Sequence, residues 1–257
     1  MSQPSFFEQH GYVDLGRVGV SACNPHRIVC LGDGHQGYYI AKQYDTQSPW
    51  ILVSEWLCAD IASLLGLPIP ARRIIPFNGR WLGFEYRSDA KSFELGMEQN
   101  IINLEVVAGM IAFDVWVCNR DRHRGNVLLQ RPSDGMQRYT LSLIDHSHAL
   151  IGDLPDITAL QRFIARNNDP SCFIMLMPQQ LRDTVRHLGE YTPWLMKIEA
   201  FDMEQLRASA ERIPTEWIPD QKQLADLIEF LAQRASTVSS LIMDNPQLFV
   251  TQGEQGG

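Results

Sequence analysis

The chain is 257 residues long, 45% hydrophobic, 9% aromatic and 20% charged, with 22 Lys and Arg against 30 Asp and Glu for a net charge of −8. At about 150 residues per domain this length reads as one to two domains, and it buries enough surface to fold without a disulfide scaffold. The acidic balance argues against bulk nucleic-acid binding, which draws its affinity from clustered positive charge; an anionic ligand received by a few local cations or a metal ion stays open.

The opening MSQPSFFEQHGY lacks the cationic region and apolar core of a signal peptide. The longest apolar stretch, Val106 to Cys118, is broken by Asp114 and is too short to span a bilayer, so no membrane association is expected. Cysteines at 23, 30, 58, 118 and 172 form no CxxC pair and read as reduced thiols of a cytoplasmic protein, without zinc. Arg27 to Leu31 and Tyr38 to Tyr44 read as strands flanking a glycine-rich hairpin with Gly32, Gly34 and Gly37. Ser48 and Pro49 are an N-cap and first-turn pair, and the helix they open runs to Leu65, where Gly66 and Pro68 stop it. Arg72 to Pro76 and Trp81 to Arg87 form another hairpin, turned by Asn78-Gly79.

After about Ser88 the pattern turns helical. Asn103 caps a helix reaching about Cys118, and VLLQ and YTLSLI make a hairpin across RPSDGMQR. Further helices are expected near 157–166, 178–188, 203–213 and 219–243, with Asp202 and Gln205 as a capping box and Pro219 opening the last. The fold class is therefore α+β: a β-rich part over residues 1–88, a helical part over 89–250, and a polar, glycine-rich, disordered tail over 251–257.

Asn126 immediately precedes one strand of the later hairpin and Asp145 immediately follows the other, so both stand at the same end of it. An amide oxygen and a carboxylate held together suit a hard cation such as Mg2+, and Asp121, five residues before Asn126, can face the same point. Taken singly, each is equally a turn residue. Lys42 stands alone in the apolar YYIAK strand, where an unpaired ammonium is costly, and Glu55 interrupts the stripe Ile51, Cys58, Ala62, Leu65 of the following helix. The two invite pairing; a purely structural salt bridge, or a lysine snorkelling to water, is the plainer reading. Asp114 is either support for the 119–126 loop, holding its backbone amides, or a satisfied core acid. Asp121, Asp145, His123, His146 and His148 together also admit a metal hydrolase, which has no use for Lys42 or the glycine hairpin.

A glycine-rich hairpin, a strand lysine, a helical glutamate, D-x4-N and a later aspartate after a strand follow the order of the kinase signature set. DRHRGN and IDHSHAL depart from the usual protein-kinase motifs and are similar to the phosphoinositide 3/4-kinase branch. The segments FDVWVCNRDRHRGN and LIDHSHAL, with YYIAK and SEWLCADIASLLGLPIP before them, resemble the bacterial HipA-like kinases over roughly residues 27–150. The resemblance implies a bilobal protein kinase-like fold with ATP and Mg2+ between the lobes. Lys42 would hold phosphates and pair with Glu55, Asp121 would position or deprotonate the attacking hydroxyl, and Asn126 and Asp145 would ligate the metal. Gly34, Gly37 and the backbone of Glu85, Tyr86 and Arg87 would receive the nucleotide, with His123 orienting Asp121 or a phosphate, His148 bracing the metal loop, and Asp114 in support. The implied activity is phosphoryl transfer to a Ser/Thr hydroxyl of an unidentified protein, with an antitoxin-like or regulatory protein partner. A small-molecule or lipid kinase and a nucleotide-binding pseudokinase remain alternatives.

Overall fold

The computed structural model describes residues 11–18, 24–31, 37–76, 80–132, 136, 138–167 and 169–251. Five strands form an N-terminal antiparallel sheet: β1 Tyr12–Arg17, β2 His26–Cys30, β3 Gly37–Gln43, β4 Arg72–Pro76 and β5 Arg80–Tyr86, in the order β1-β2-β3-β5-β4. The first helix, α1 Ile51–Leu65, joins β3 to β4 and ends at Gly66, whose φ of 83° is the left-handed cap that glycine adopts without strain. The alternation of β3 sorts its side chains: Ile40 and Lys42 face one way, and Tyr39 and Ala41 join the small apolar cluster of Tyr12, Ile28, Cys30, Ile75 and Trp81 on the other.

The remainder is mostly helical: α2 Val106–Trp116, α3 Ile157–Arg166, α4 Gln179–Arg182, α5 Thr192–Glu199, α6 Met203–Ala210, α7 Gln221–Ala235, α8 Val238–Met243 and α9 Pro246–Phe249. A second, three-stranded antiparallel sheet, in the order β6-β7-β8, joins β6 Lys91–Ser92, which precedes α2, to the hairpin β7 Val127–Gln130 and β8 Thr140–Leu143, which lies between α2 and α3 in the chain. Every residue of α2 is buried, so this helix is the axis of the main core rather than an amphipathic surface helix. Its C-terminal carbonyls are met by a buried cation: Arg234 of α7 donates to Val115 and Trp116 at 2.8–3.0 Å.

Helix α1 is fastened to the helical part at three levels. Trp56 Nε1 donates to the Ser209 carbonyl at 3.1 Å, Asp60 accepts from Arg212 at 2.8 Å and also from Ser209 and Arg72, and Lys197 Nζ caps the Leu65 carbonyl at 2.9 Å. The arginines stack on Trp56, the Arg72 guanidinium 4.7 Å from its ring. Leu52 to Ala62 are all buried, so the apolar stripe expected of this helix is instead a continuous apolar girdle.

Several local expectations are corrected. Ser48 does not cap α1 with its side chain; a turn over residues 46–50 precedes the helix, which starts at Ile51. Asn103 is not a helix cap: its amide brackets Leu141, Nδ2 donating to the carbonyl at 3.1 Å and Oδ1 accepting the N–H at 2.8 Å, as a strand neighbour would. The Asp202 side chain accepts from Glu204 N while the Gln205 N–H goes to the Asp202 carbonyl, so Asp202 caps α6 without a capping box. Asp220, not Pro219, caps α7, and the long helix expected over 219–243 divides at Ser236 and Thr237, whose hydroxyls take back the carbonyls of Gln233 and Arg234. Strand β1 and helix α5 were not anticipated. Only Tyr12 of β1 is buried, and a bulge at Gly16 (φ 94°), held by Asp14 Oδ1, breaks its alternation. The Asn78-Gly79 turn and much of RPSDGMQR lie outside the described residues, as does most of the tail.

Candidate active site

Lys42 is the sixth residue of β3 and, although 6% exposed, it is doubly paired. Its ammonium donates to Glu55 Oε1 and, at 2.8 Å, to Asp145 Oδ1. One cation thus ties the first sheet, helix α1 and the end of the β7–β8 hairpin at a single point. The second oxygen of Glu55 accepts the His146 backbone N–H at 3.1 Å, so α1 also holds the segment that carries Asp145.

Burial pushes the Glu55 carboxyl up to about 7, with Lys42 working against it. Burial also acts to raise Asp145, but there the Lys42 ammonium and the Ser147 hydroxyl, donating at 2.7 Å, prevail and hold the carboxyl far below its ordinary range. Asp145 has a φ of 55°, the left-handed region that aspartate tolerates better than bulkier residues.

The hairpin behaves as its spacing predicts. Val127 pairs with Leu143, and the Asn126 carbonyl accepts the Ile144 N–H at 3.2 Å, which brings Asn126 and Asp145 to the same end. Asn126 Nδ2 donates to the Asp121 carbonyl at 2.8 Å, leaving Oδ1 with no hydrogen-bond donor among the described residues. The Asp121 backbone N–H donates to Asn119 Oδ1 at 3.1 Å, and its carboxylate lies 3.6 Å from His123 Nε2.

Beneath this loop is a network that sequence reasoning missed. Arg122 is 1% exposed; its Nε and Nη2 form a bidentate pair with Asp114 at 2.9 and 3.0 Å. Its Nη1 donates to the carbonyls of both Asn126 and Ile144, at 2.7 and 2.8 Å, and Nη2 also meets His146 Nε2 at 2.9 Å. Asp114 also accepts from Asn119 Nδ2 at 2.8 Å. It therefore supports the loop through the side chains of Arg122 and Asn119, not through backbone amides. The signal was an acid inside an apolar helix, which calls for a cation within reach; Arg122, eight residues on, is that cation.

The histidines separate. His146 is fully buried, edge-on to Phe113, and burial together with Arg122 holds its imidazole well below its ordinary value; the neutral ring accepts from Arg122 at Nε2 and carries its proton on Nδ1. His148 pairs with Asp153 at 3.0 Å, and Arg120 binds the same carboxylate. His146 thus meets the guanidinium that holds the Asn126 and Ile144 carbonyls, whereas His148 pairs with Asp153. Among the described residues no group of three or more His, Cys, Asp and Glu could hold a metal ion, so the hydrolase cluster is not assembled.

A cavity of about 260 Å3 opens above Lys42, Glu55 and Asp145. Apolar side chains of Ile40, Phe84, Leu128 and Ile144 wall it, and Glu85, Tyr86 and Arg87 line it where β5 ends. The Glu85 N–H donates to the Ala71 carbonyl at 2.7 Å, and the Arg87 carbonyl accepts from Ala90 at 3.1 Å. Asp121 and Asn126 are not among the residues that line it. Gly37 opens β3 opposite Cys30 and does not line the cavity; Gly34 lies outside the described residues.

The HipA-like kinase family profile matches residues 20–245. The chain belongs to the HipA-like kinase family. No curated protein matches it in sequence. Among solved structures it is similar to the proinflammatory kinase CtkA of Helicobacter pylori, with a TM-score of 0.56 and 16% identity, covering 93% of this chain and 94% of that one. Such a likeness shows a shared kinase fold. HipA of the Shewanella oneidensis MR-1 toxin–antitoxin system, solved with HipB and operator DNA, is a more distant likeness: TM-score 0.45, 11% identity, 93% of this chain and 69% of that one. Among the described residues, no helix of this HipA-like kinase is long and apolar enough to cross a membrane.

Proposed function

We propose that this HipA-like kinase transfers the γ-phosphoryl group of ATP to a Ser or Thr hydroxyl of a protein, in a cleft between a lobe of residues 1–88 and a lobe of 89–250. The observation that carries this reading is the Lys42 ammonium held between Glu55 and Asp145 on the floor of an apolar cavity. A nucleotide base needs apolar walls, and its polyphosphate needs a fixed cation beside a metal-binding acid.

The residues fit a divalent cation. Asp145 is held ionised, Asn126 Oδ1 has no competing donor among the described residues, and both are the hard oxygen ligands that Mg2+ prefers. Held by Asp145 and Asn126, such a cation would supply charge neutralisation to the polyphosphate. Lys42 binds the phosphates, kept extended and oriented by Glu55. The adenine lies against Ile40, Phe84 and Leu128, next to the backbone of Glu85 to Arg87. Asp121 accepts the proton of the acceptor hydroxyl as the new O–P bond forms and the bond from γ-phosphorus to the β–γ bridging oxygen breaks, releasing ADP. Positioning supplies most of the acceleration in such a reaction, so the pinning of Asp121 and Asn126 is part of the chemistry.

Incubation with γ-labelled ATP, Mg2+ and cell lysate tests this. Labelled protein phosphoserine or phosphothreonine is expected with wild type and not with Asp121→Ala. No labelled protein with either enzyme, or labelling confined to metabolites or lipids, overturns it.

A further inference from the structure

A second hollow, of about 350 Å3, lies beside the catalytic loop rather than under it. Phe93, Leu95, Leu176 and Pro178 line it together with His123 and Arg124. Its rim is unusually apolar for a surface: Leu95 is 76% exposed and Leu176 is 52% exposed, with Met175 next in the chain also open to water. Arg124 is exposed and has no acidic partner among the described residues, in a chain whose net charge is −8. Two of its lining residues are thus two and three positions from the carboxylate assigned as base, so a chain seated here delivers a hydroxyl to Asp121 with only a few residues between.

We infer that this hollow seats the acceptor polypeptide and sets its specificity: the substrate carries a large apolar side chain within a few residues of the phosphorylated hydroxyl, flanked by an acidic residue that pairs with Arg124. The inference rests on the protein-kinase reading above. Apolar burial at a preformed hollow supplies affinity, and an unpaired cation among its lining residues supplies register and excludes basic neighbours. The exposed residues are unexplained by folding, because none of them is needed to complete the core.

A positional-scanning library of Ser- and Thr-centred peptides separates this inference from the reading beneath it. Each pool is assayed twice with the full chain: for incorporation of labelled γ-phosphate, and for binding in the presence of Mg2+ and a non-hydrolysable ATP analogue. Expected is selection for Leu, Ile, Phe or Met at one position near the hydroxyl, and for Asp or Glu beside it. The double variant Leu95→Ser/Leu176→Ser is expected to raise KM for the selected peptide about ten- to a hundredfold, leaving kcat and the KM for ATP unchanged. Arg124→Ala should remove the acidic preference and keep the apolar one. Incorporation without apolar selection, or undiminished use of the best peptide by the double variant, overturns the inference while leaving the kinase standing. Apolar-selective binding without incorporation keeps the docking site and sinks the kinase reading. Neither binding nor incorporation overturns both.

Discussion

Asp114 and Arg122 form a bidentate ion pair in which neither side chain is reached by solvent. Such a pair costs a large desolvation free energy, and its value here lies in what the guanidinium does next: one nitrogen sets the spacing of the Asn126 and Ile144 carbonyls. Asp114→Ala should destabilise the protein by about 3–5 kcal/mol in urea unfolding, because it strands a buried cation. The apolar double variant Asp114→Leu/Arg122→Met should remain destabilised, since those carbonyls and His146 then lose their donor. A double variant as stable as wild type would refute the network as described.

Lys42 and Glu55 form a second buried ionic contact. Lys42→Met leaves Glu55 and Asp145 facing one another without their cation, and should abolish phosphoryl transfer and lower stability. Adding Glu55→Gln removes one of the stranded charges. The double variant is therefore expected to be more stable than Lys42→Met alone, with a coupling of about 1–3 kcal/mol in a double-mutant cycle; transfer should stay absent. Additive effects on unfolding would show that the two residues do not share a charge.

His148 and Asp153 supply a pH signature. The hydrogen bond to Asp153 raises the imidazole above its ordinary value, with burial opposing. Burial acts to raise Asp153, but His148 and Arg120 bring it down to about 2. A raised histidine stabilises below its unfolded pKa, about 6.5, and that stability is lost as pH rises through the higher folded value. The lowered acid stabilises above about 4, and its contribution is lost as pH falls toward 2. The partly exposed pair should therefore contribute most between about pH 4 and 6.5, and no more than about 1 kcal/mol. His148→Gln should lower Tm by about 2–4 °C at pH 5.5 and by nearly nothing at pH 9, measured by thermal scans across that range. Equal losses at both ends would exclude an ionic role.

Gly109 lies mid-way along buried α2, and a Cβ there would stand 2.4 Å from the Trp194 ring. Ala is the better helix former by about 1 kcal/mol, yet Gly109→Ala should destabilise by about 1–3 kcal/mol, because the indole has to move. Trp194→Leu in the same background should recover part of the loss in calorimetry. Stabilisation by Gly109→Ala alone would show that the ring yields freely.

The sequence was most legible where chemistry constrains it twice. Lys42 and Glu55 were each the lone charge in an apolar stripe, and Asn126 and Asp145 bracket a hairpin that pairs Val127 with Leu143, so their place at one end of it followed from spacing. The glycine loop carried less: Gly37 lies off the cavity. What could not be read were elements defined by tertiary partners. Strand β1 buries one side chain, Asn103 chose a strand edge over a helix end, and Arg122 drew no reading of its own because its partner Asp114 lies on a different element. The hollow beside His123 is assembled from segments about 30 to 85 residues apart in sequence, which no local pattern joins.

The anchorage of α1 bears on control. Many kinases are switched off by swinging out the helix that bears the lysine-pairing glutamate. Here that helix is bolted along its length by Trp56, Asp60 and the Leu65 carbonyl to α5, α6 and Arg212, so moving Glu55 would mean tearing open the main core. A regulator of this protein has little to gain from that helix; the economical points of interference are the mouths of the cavity above Lys42 and the hollow beside His123, where occupancy by a competing chain or a modified residue shuts access without disturbing the fold.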